Sequence, residues 1–294
     1  ADLLRGNLDA SEYKSVVLGL IFLKYLSDRF EAKYNELLAE GEGFEEDKDE
    51  YTSENIFYVP QDARWSVIAA AAHTSEIGVV IDNAMRQIEK ENLRLKGTLP
   101  KNFARPELDK RRLGDVVDLF TNIQMREQGD TKDILGRTYE YCLSKFAEAE
   151  GKLAGEFYTP ACIVRTLVEV LQPYHGRVYD PACGSGGMFV QTGDFVNHAG
   201  LNANTQMTFY GQEKVEYNAQ LCLMNMAVHG LNGKIVSGDE ANSFYHDTHN
   251  LEGKCDYVMA NPPFNVDKVK SESAWAAGRL PFGLPGVNAR SKEI

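Results

Sequence analysis

No long apolar stretch is present. The run near the start, Val16 to Leu23, spans eight residues counting Gly19 and is closed by Lys24, far short of the roughly 20 that a spanning helix needs. A place in a membrane is therefore not expected. Asp2 and Arg5 precede that run and no small-residue cleavage site follows, which argues against a secretory signal; the chain opens on Ala1 rather than Met, so an upstream start is expected. Cysteine is sparse: Cys142, Cys162, Cys183, Cys222 and Cys255 stand far apart, odd in number and without a C-x-x-C pair. That usage argues against a disulfide framework or structural zinc, and for reduced thiols in a cytoplasmic protein. Basic excess is also missing. With 31 Lys and Arg against 43 Asp and Glu the net charge is −12, whereas a protein that grips nucleic acid unaided usually carries the opposite balance. If the chain acts on nucleic acid, another subunit is expected to supply much of the grip.

What is present is an ordinary globular composition, 43% apolar over 294 residues, enough for one large domain or two. From Glu12 to Ala39, Val16, Leu20, Leu23, Leu26, Phe30, Tyr34 and Leu37 recur at three- and four-residue steps, predicting one apolar face on a long helix. Glu42 to Glu50 holds six acids against Lys48 and reads as a solvated loop. Further helices are expected over Trp65–Ala72, Ile77–Leu95, Leu113–Ile123 and Ile134–Ala149. Residues 1–154 therefore form an all-helical domain in this reading. The basic group Lys101, Arg105, Lys110, Arg111 and Arg112 is of a kind that can meet phosphates, and is read by preference as solvated turn surface.

After Gly155 the pattern becomes strands alternating with helices: a helix over Ala161–Leu171, a strand ending at Asp180, a helix from about Met188, a strand over Met207–Glu213, a helix over Val215–His229, and strands over Ile235–Asp239 and Asp256–Ala260. This rhythm predicts an α/β domain over 155–294 with a doubly wound parallel sheet, whose ligands sit at the carboxyl ends of the strands.

Between the first of these strands and its helix lies Asp180-Pro181-Ala182-Cys183-Gly184-Ser185-Gly186-Gly187. Gly184 and Gly186 let backbone approach a ligand where a Cβ would clash, and Asp180 can accept hydrogen bonds from a cationic or hydroxylated group. No Gly-Lys-Ser/Thr closes the turn and Phe189 breaks G-x-G-x-x-G, so phosphate binding is disfavoured. Glu213 and Asp239 are expected at the next two strand tips, completing an acidic crescent suited to a nucleoside bearing a positive group. The last strand runs into Asn261-Pro262-Pro263-Phe264. The prolines stiffen this turn, so that the Asn261 side chain and the Pro262 carbonyl project as acceptors beside the flat ring of Phe264, a setting for a planar amine. His246 and His249 lack a third ligand nearby, and no metal is expected.

Asp180 to Gly187 together with Asn261-Pro-Pro-Phe264 resembles the class I methyltransferases that use S-adenosyl-L-methionine (AdoMet) and methylate the N6 amine of adenine in DNA. Gly155-Glu156-Phe157-Tyr158-Thr159-Pro160 is similar to a further cofactor-binding element of that group. Leu4 to Ala10 and Val17 to Leu26 are similar to the helical domain of modification subunits from type I restriction-modification systems. The resemblance implies that Glu156, Phe157, Tyr158, Thr159, Pro160, Asp180, Pro181, Gly184, Ser185, Gly186, Glu213 and Asp239 contact AdoMet. It likewise implies that Asn261 and Pro262 bind a flipped-out adenine amine on which Phe264 stacks. Its implied partners are DNA, a specificity subunit that chooses the site, a second modification subunit and, as a further candidate, a restriction-translocase subunit. Family members continue through more strands than the thirty residues after Phe264 allow here, so the methyltransferase domain is expected to be C-terminally incomplete, with an exposed sheet edge. The alternatives are methylation of a protein glutamine amide or an rRNA guanine amine, and a scaffold without catalysis.

Overall fold

The computed structural model describes residues 10–122, 138–146, 159–263, 266 and 269–284. Its contacts divide the chain into two compact units, Ala1–Glu150 and Gly151–Ile294. The expected boundary at 154/155 lies outside the described residues.

In the first unit the described regular structure is helical: α1 (Ala10–Glu40), α2 (Lys48–Ser53), α3 (Trp65–Ala70), α4 (Ile77–Glu91), α5 (Lys110–Asn122) and α6 (138–146). The single apolar face expected for α1 holds only beyond Leu26. From Lys14 to Ser27 every residue is buried, because Val17, Leu18, Ile21, Phe22 and Tyr25 fill the side that the periodic reading left to solvent. Such a helix, apolar all round, belongs in a core. The acidic stretch read as a loop in fact starts α2. Asp47 caps it by accepting the Asp49 N–H at 3.0 Å, and Asp49 and Glu50 occupy its first turn, where the helix dipole favours negative charge. Helix α4 presents Gly78 and Asp82 one turn apart to the chain at 103–104. The Asp82 carboxylate accepts the Phe103 and Ala104 N–H groups at 2.9 and 3.1 Å. Nor is the basic group simply solvated surface, since Lys110 donates to the Phe103 and Arg105 carbonyls and Lys101 to Glu89.

The second unit has the expected α/β class. Helix α7 (Ala161–Leu171) leads to β1 (Gly176–Asp180), α8 (Gly187–His198), α9 (Ala203–Gln206), β2 (Met207–Glu213), α10 (Glu216–Val228), β3 (Gly233–Ser237), β4 (Tyr257–Val258) and α11 (Ser271–Ala276). The four strands are parallel in the order β3-β2-β1-β4, so their carboxyl ends share one edge. Val178, Phe209, Phe189, Cys222 and Met226 lie in the core of this unit. Two strand ends differ from expectation. β3 stops at Ser237, since Gly238 takes φ 82° and ψ −161°, and Asp239 opens a short 3-10 turn. The β4 ladder is short, because the Asp256 carboxylate takes the Arg177 N–H at 2.7 Å, although the Met259 N–H still reaches the Tyr179 carbonyl at 3.0 Å.

Candidate active site at the sheet edge

Register decides what meets at this edge. Asp180 pairs with Gly211 across β1 and β2, and Glu213 with Ser237 across β2 and β3, so Glu213 extends two residues beyond Asp180. The turn leaving β1 folds back under that overhang. The Cys183 N–H reaches the Gln212 carbonyl at 3.1 Å, and the Gly184 N–H donates to the Glu213 carboxylate at 3.0 Å. Gly186 has φ 81°, and a Cβ there would lie 2.7 Å from Cys222 Sγ; the position accepts glycine alone for both reasons. By contrast, a Cβ built at Gly184 or Gly187 meets nothing within 4 Å, so the turn offers open backbone next to two carboxylates.

Those carboxylates sit in different electrostatic settings. Asp180 is 1% exposed. Burial pushes its carboxyl up to about 7, the Glu213 charge adds to the rise, and the Ala182 N–H, donating at 3.0 Å, opposes it. Glu213 is half-buried and accepts the Val215 N–H at 2.8 Å as well as that of Gly184. A positively charged ligand in the turn would restore Asp180 to its ionised form. An anionic ligand would meet repulsion.

One strand over, β4 carries the chain to Asn261, half-buried, whose Nδ2 donates to Thr159 Oγ1 at 2.9 Å. The structure thus brings Thr159, 102 residues upstream, to the proline turn. Pro160 opens α7, its carbonyl accepting the Ile163 N–H at 2.9 Å. Pro181 and Ser185 lie within the glycine turn, while Pro262 is exposed at the edge. Asp239 does not join Asp180 and Glu213 at a strand tip: it is exposed, two residues past the end of β3. Glu156, Phe157, Tyr158 and Phe264 lie outside the described residues. The two histidines have separate engagements, His249 Nε2 with the Gly211 carbonyl at 2.9 Å and His246 with Glu240 at 3.9 Å.

Several supporting groups escaped the sequence reading. Asn225, fully buried on α10, donates to the Ser185 carbonyl at 3.0 Å and so ties the glycine turn to that helix. Gln212, also fully buried, accepts from Tyr179 Oη at 2.7 Å and donates to the Ala241 and His246 carbonyls, which holds the β3–β4 connection against the sheet edge. The only sequence signal for either is a polar residue inside an apolar element. Cys183 faces inward, its thiol held well above the usual range by the Cys222 thiol beside it and by burial.

Comparison with known proteins agrees with this architecture. Residues 130–289 match the family model N-6 DNA Methylase and residues 1–120 the HsdM N-terminal domain. The MjaIX type I restriction enzyme methylase subunit of Methanocaldococcus jannaschii is 35% identical over 100% of this chain and 54% of its own length. The HindI type I restriction enzyme methylase subunit of Haemophilus influenzae is 38% identical over 77% of this chain and 55% of its own. The chain thus spans about half the length of these relatives. Among solved structures, the methyltransferase subunit of a type I restriction-modification system from Streptococcus thermophilus superposes with a TM-score of 0.75 at 24% identity, covering 94% of this chain and 63% of that one. With a family model matching over half its length, the chain belongs to the N-6 DNA methylase family.

Proposed function

We propose that the chain serves as the modification subunit of a type I restriction-modification system, methylating adenine N6 in DNA with AdoMet as methyl donor. The observation that carries this reading is the position of Asn261, three residues past β4, the strand that pairs with β1, and so at the same sheet edge as the glycine turn that follows β1. The donor set fits AdoMet. Asp180, buried and with no cation beside it among the described residues, suits a cationic amino-acid moiety, Glu213 suits a ribose diol, and the open side of Gly184 admits close backbone approach. In this proposal Thr159 and Pro160, with Glu156, Phe157 and Tyr158, also contribute to the cofactor site, and Asp239 is assigned to it by the family resemblance alone. When bound, AdoMet supplies an electrophilic methyl group on a sulfonium.

The remaining chemistry belongs to this chain. Asn261 Oδ1 and the Pro262 carbonyl accept the two N–H groups of the adenine amine. The nitrogen lone pair, otherwise conjugated with the ring, is thereby directed at the methyl carbon. Phe264 stacks on the base, which must leave the duplex to present N6 in line. Site choice falls to a specificity subunit, with a second modification subunit and a restriction-translocase subunit as further partners, and the cytoplasm as the compartment. Among the described residues no helix is long and apolar enough to cross a membrane.

The test uses the chain co-expressed with its specificity subunit. Asn261→Ala should lower adenine methylation by at least ~100-fold, the scale of a lost transition-state hydrogen bond in a preorganised site, while calorimetry finds AdoMet affinity retained. Undiminished methylation would reject the assignment.

A further inference from the structure

An adenine taken out of a duplex leaves behind a gap in the base stack and a thymine without its partner. Part of that cost is recovered when an apolar side chain enters the gap. Such a side chain must stand bare at the rim of the site and be held there before DNA arrives, since ordering it on binding would consume much of the gain.

The segment after the Asn261 turn presents a ring of this kind. Phe282 is fully exposed, at the third position of a turn that the Gly283 N–H closes on the Leu280 carbonyl at 3.0 Å. Pro281 stands at the second position and Gly283, with φ 90°, at the fourth, so the turn is set by its own residues. It is also fastened to the rest of the domain. Arg279, one residue before the turn, donates from Nε to the Ser243 carbonyl at 2.8 Å, and its guanidinium lies 3.9 Å from the Asp247 carboxylate. At the start of α11 the Lys270 N–H donates to Tyr245 Oη at 3.1 Å. Ser243 and Tyr245 fall between the Ala241 and His246 carbonyls, which Gln212 holds at the carboxyl end of β2. That is the sheet edge at which Asn261 stands. Charge points the same way. Residues 261–294 hold five Lys and Arg against three acids, net +2, while residues 1–260 carry −14. An acidic chain thus keeps a basic stretch around this ring, complementary to a phosphate backbone.

We propose that Phe282 is a wedge that enters the duplex beside the target adenine and stacks on the thymine left unpaired when that adenine flips. The proposal rests on the reading of Asn261 given above and deepens it: Phe264 takes the flipped base and Phe282 the gap. Stacking on a base face needs no hydrogen bond and no sequence preference, which suits a chain whose site is chosen by another subunit.

The experiment uses the chain co-expressed with its specificity subunit, on the duplex target found by sequencing modified adenines. In the first arm 5-iododeoxyuridine replaces the thymine opposite the target adenine. Irradiation should join the DNA to the peptide bearing Phe282, and F282A should lose that adduct. In the second arm F282A should lower kcat/KM for adenine methylation about tenfold on the paired target, within the range for removal of a base-stacking ring. On a target whose adenine faces an abasic site there is no orphaned thymine to stack on, so the loss should stay below about threefold. F282W keeps a flat ring and should return the paired target to within about threefold of the parent. AdoMet affinity and co-purification with the specificity subunit should match the parent's in both variants.

An adduct that maps elsewhere, or an F282A loss that is absent or equal on the two targets, would overturn the proposal. Loss of co-purification in F282A would also overturn it, giving the ring to a protein partner instead. Failure of the underlying reading has a different signature: N261A would itself still methylate.

Discussion

At Asp180 burial and a backbone hydrogen bond pull in opposite directions, and the balance is measurable. The folded chain holds this carboxyl at about 7, against an ordinary value of 3.8. Between those two values the folded state carries a proton that the unfolded state has released. The associated stability is complete below about pH 4 and declines as pH rises to about 7, by at most ~1.4 kcal/mol per unit. Other carboxylates act in the reverse sense, since Glu91 is lowered first by its hydrogen bond to Lys48, and Asp247 by the Leu251 and Glu252 N–H groups against the opposing effect of burial. The difference between parent and D180N isolates Asp180. The Asn variant retains an acceptor for the Ala182 N–H, and its melting temperature should gain on the parent's as pH rises from 5 to 7.5. Parallel curves would mean that Asp180 is ionised throughout.

At the scale of elements, α4 shows how a helix can clasp irregular chain. Gly78 admits the backbone of 103–104 and Asp82, one turn on, binds two of its N–H groups at 2.9 and 3.1 Å. A Cβ at Gly78 would stand 2.3 Å from the Phe103 carbonyl oxygen and 2.8 Å from Ala104 Cα. Alanine improves helix propensity by ~1 kcal/mol, but the clash is with backbone and its relief stretches bonds to a carboxylate worth ~1.5–3 kcal/mol each. The collision wins: Gly78→Ala should destabilise the chain by about 2 kcal/mol, read from the urea midpoint. A gain in stability would show that the segment can move aside freely.

Most elements were legible in the sequence because their signals are local. Ala161–Leu171 and Met207–Glu213 occupy the expected residues, and α5 and α10 differ from expectation by a few residues at an end. The failures are instructive in the same terms. Six clustered acids suggested a solvated loop, yet acids at a helix start are stabilising, and Asp47 caps α2. The strand expected over Ile235–Asp239 was carried too far, because the conformation of Gly238 breaks it first. At the site, Asp180, Gly184, Gly186 and Glu213 could be grouped from the parallel-sheet pattern alone. The Asn225 and Gln212 supports could not, since their partners lie 40 and 29 to 34 residues away.

For the molecule as a whole, charge sets the expectation. The chain carries −12, and Lys101 and Lys110 of its basic group are already engaged by Glu89 and by backbone carbonyls. Under the proposed function the chain alone should bind duplex DNA no more tightly than ~10⁻⁵ M near physiological salt, within the non-specific range. Addition of the specificity subunit should tighten binding by orders of magnitude. Fluorescence anisotropy over a salt series decides the matter, and tight, salt-resistant binding by the chain alone would contradict it.

The sequence by itself determined the two-part plan, helices then a parallel sheet, and the position of a glycine turn and a proline turn at strand ends. Hydrophobic period, proline and glycine act on neighbouring residues, so they are readable without coordinates. Only the tertiary structure decided which side chains meet. α1 is enclosed on every side from Lys14 to Ser27, Glu213 closes over Gly184, and Thr159 reaches Asn261 across 102 residues. Such pairings follow from strand register and chain crossing, which depend on the whole fold at once and leave no local trace in the order of residues.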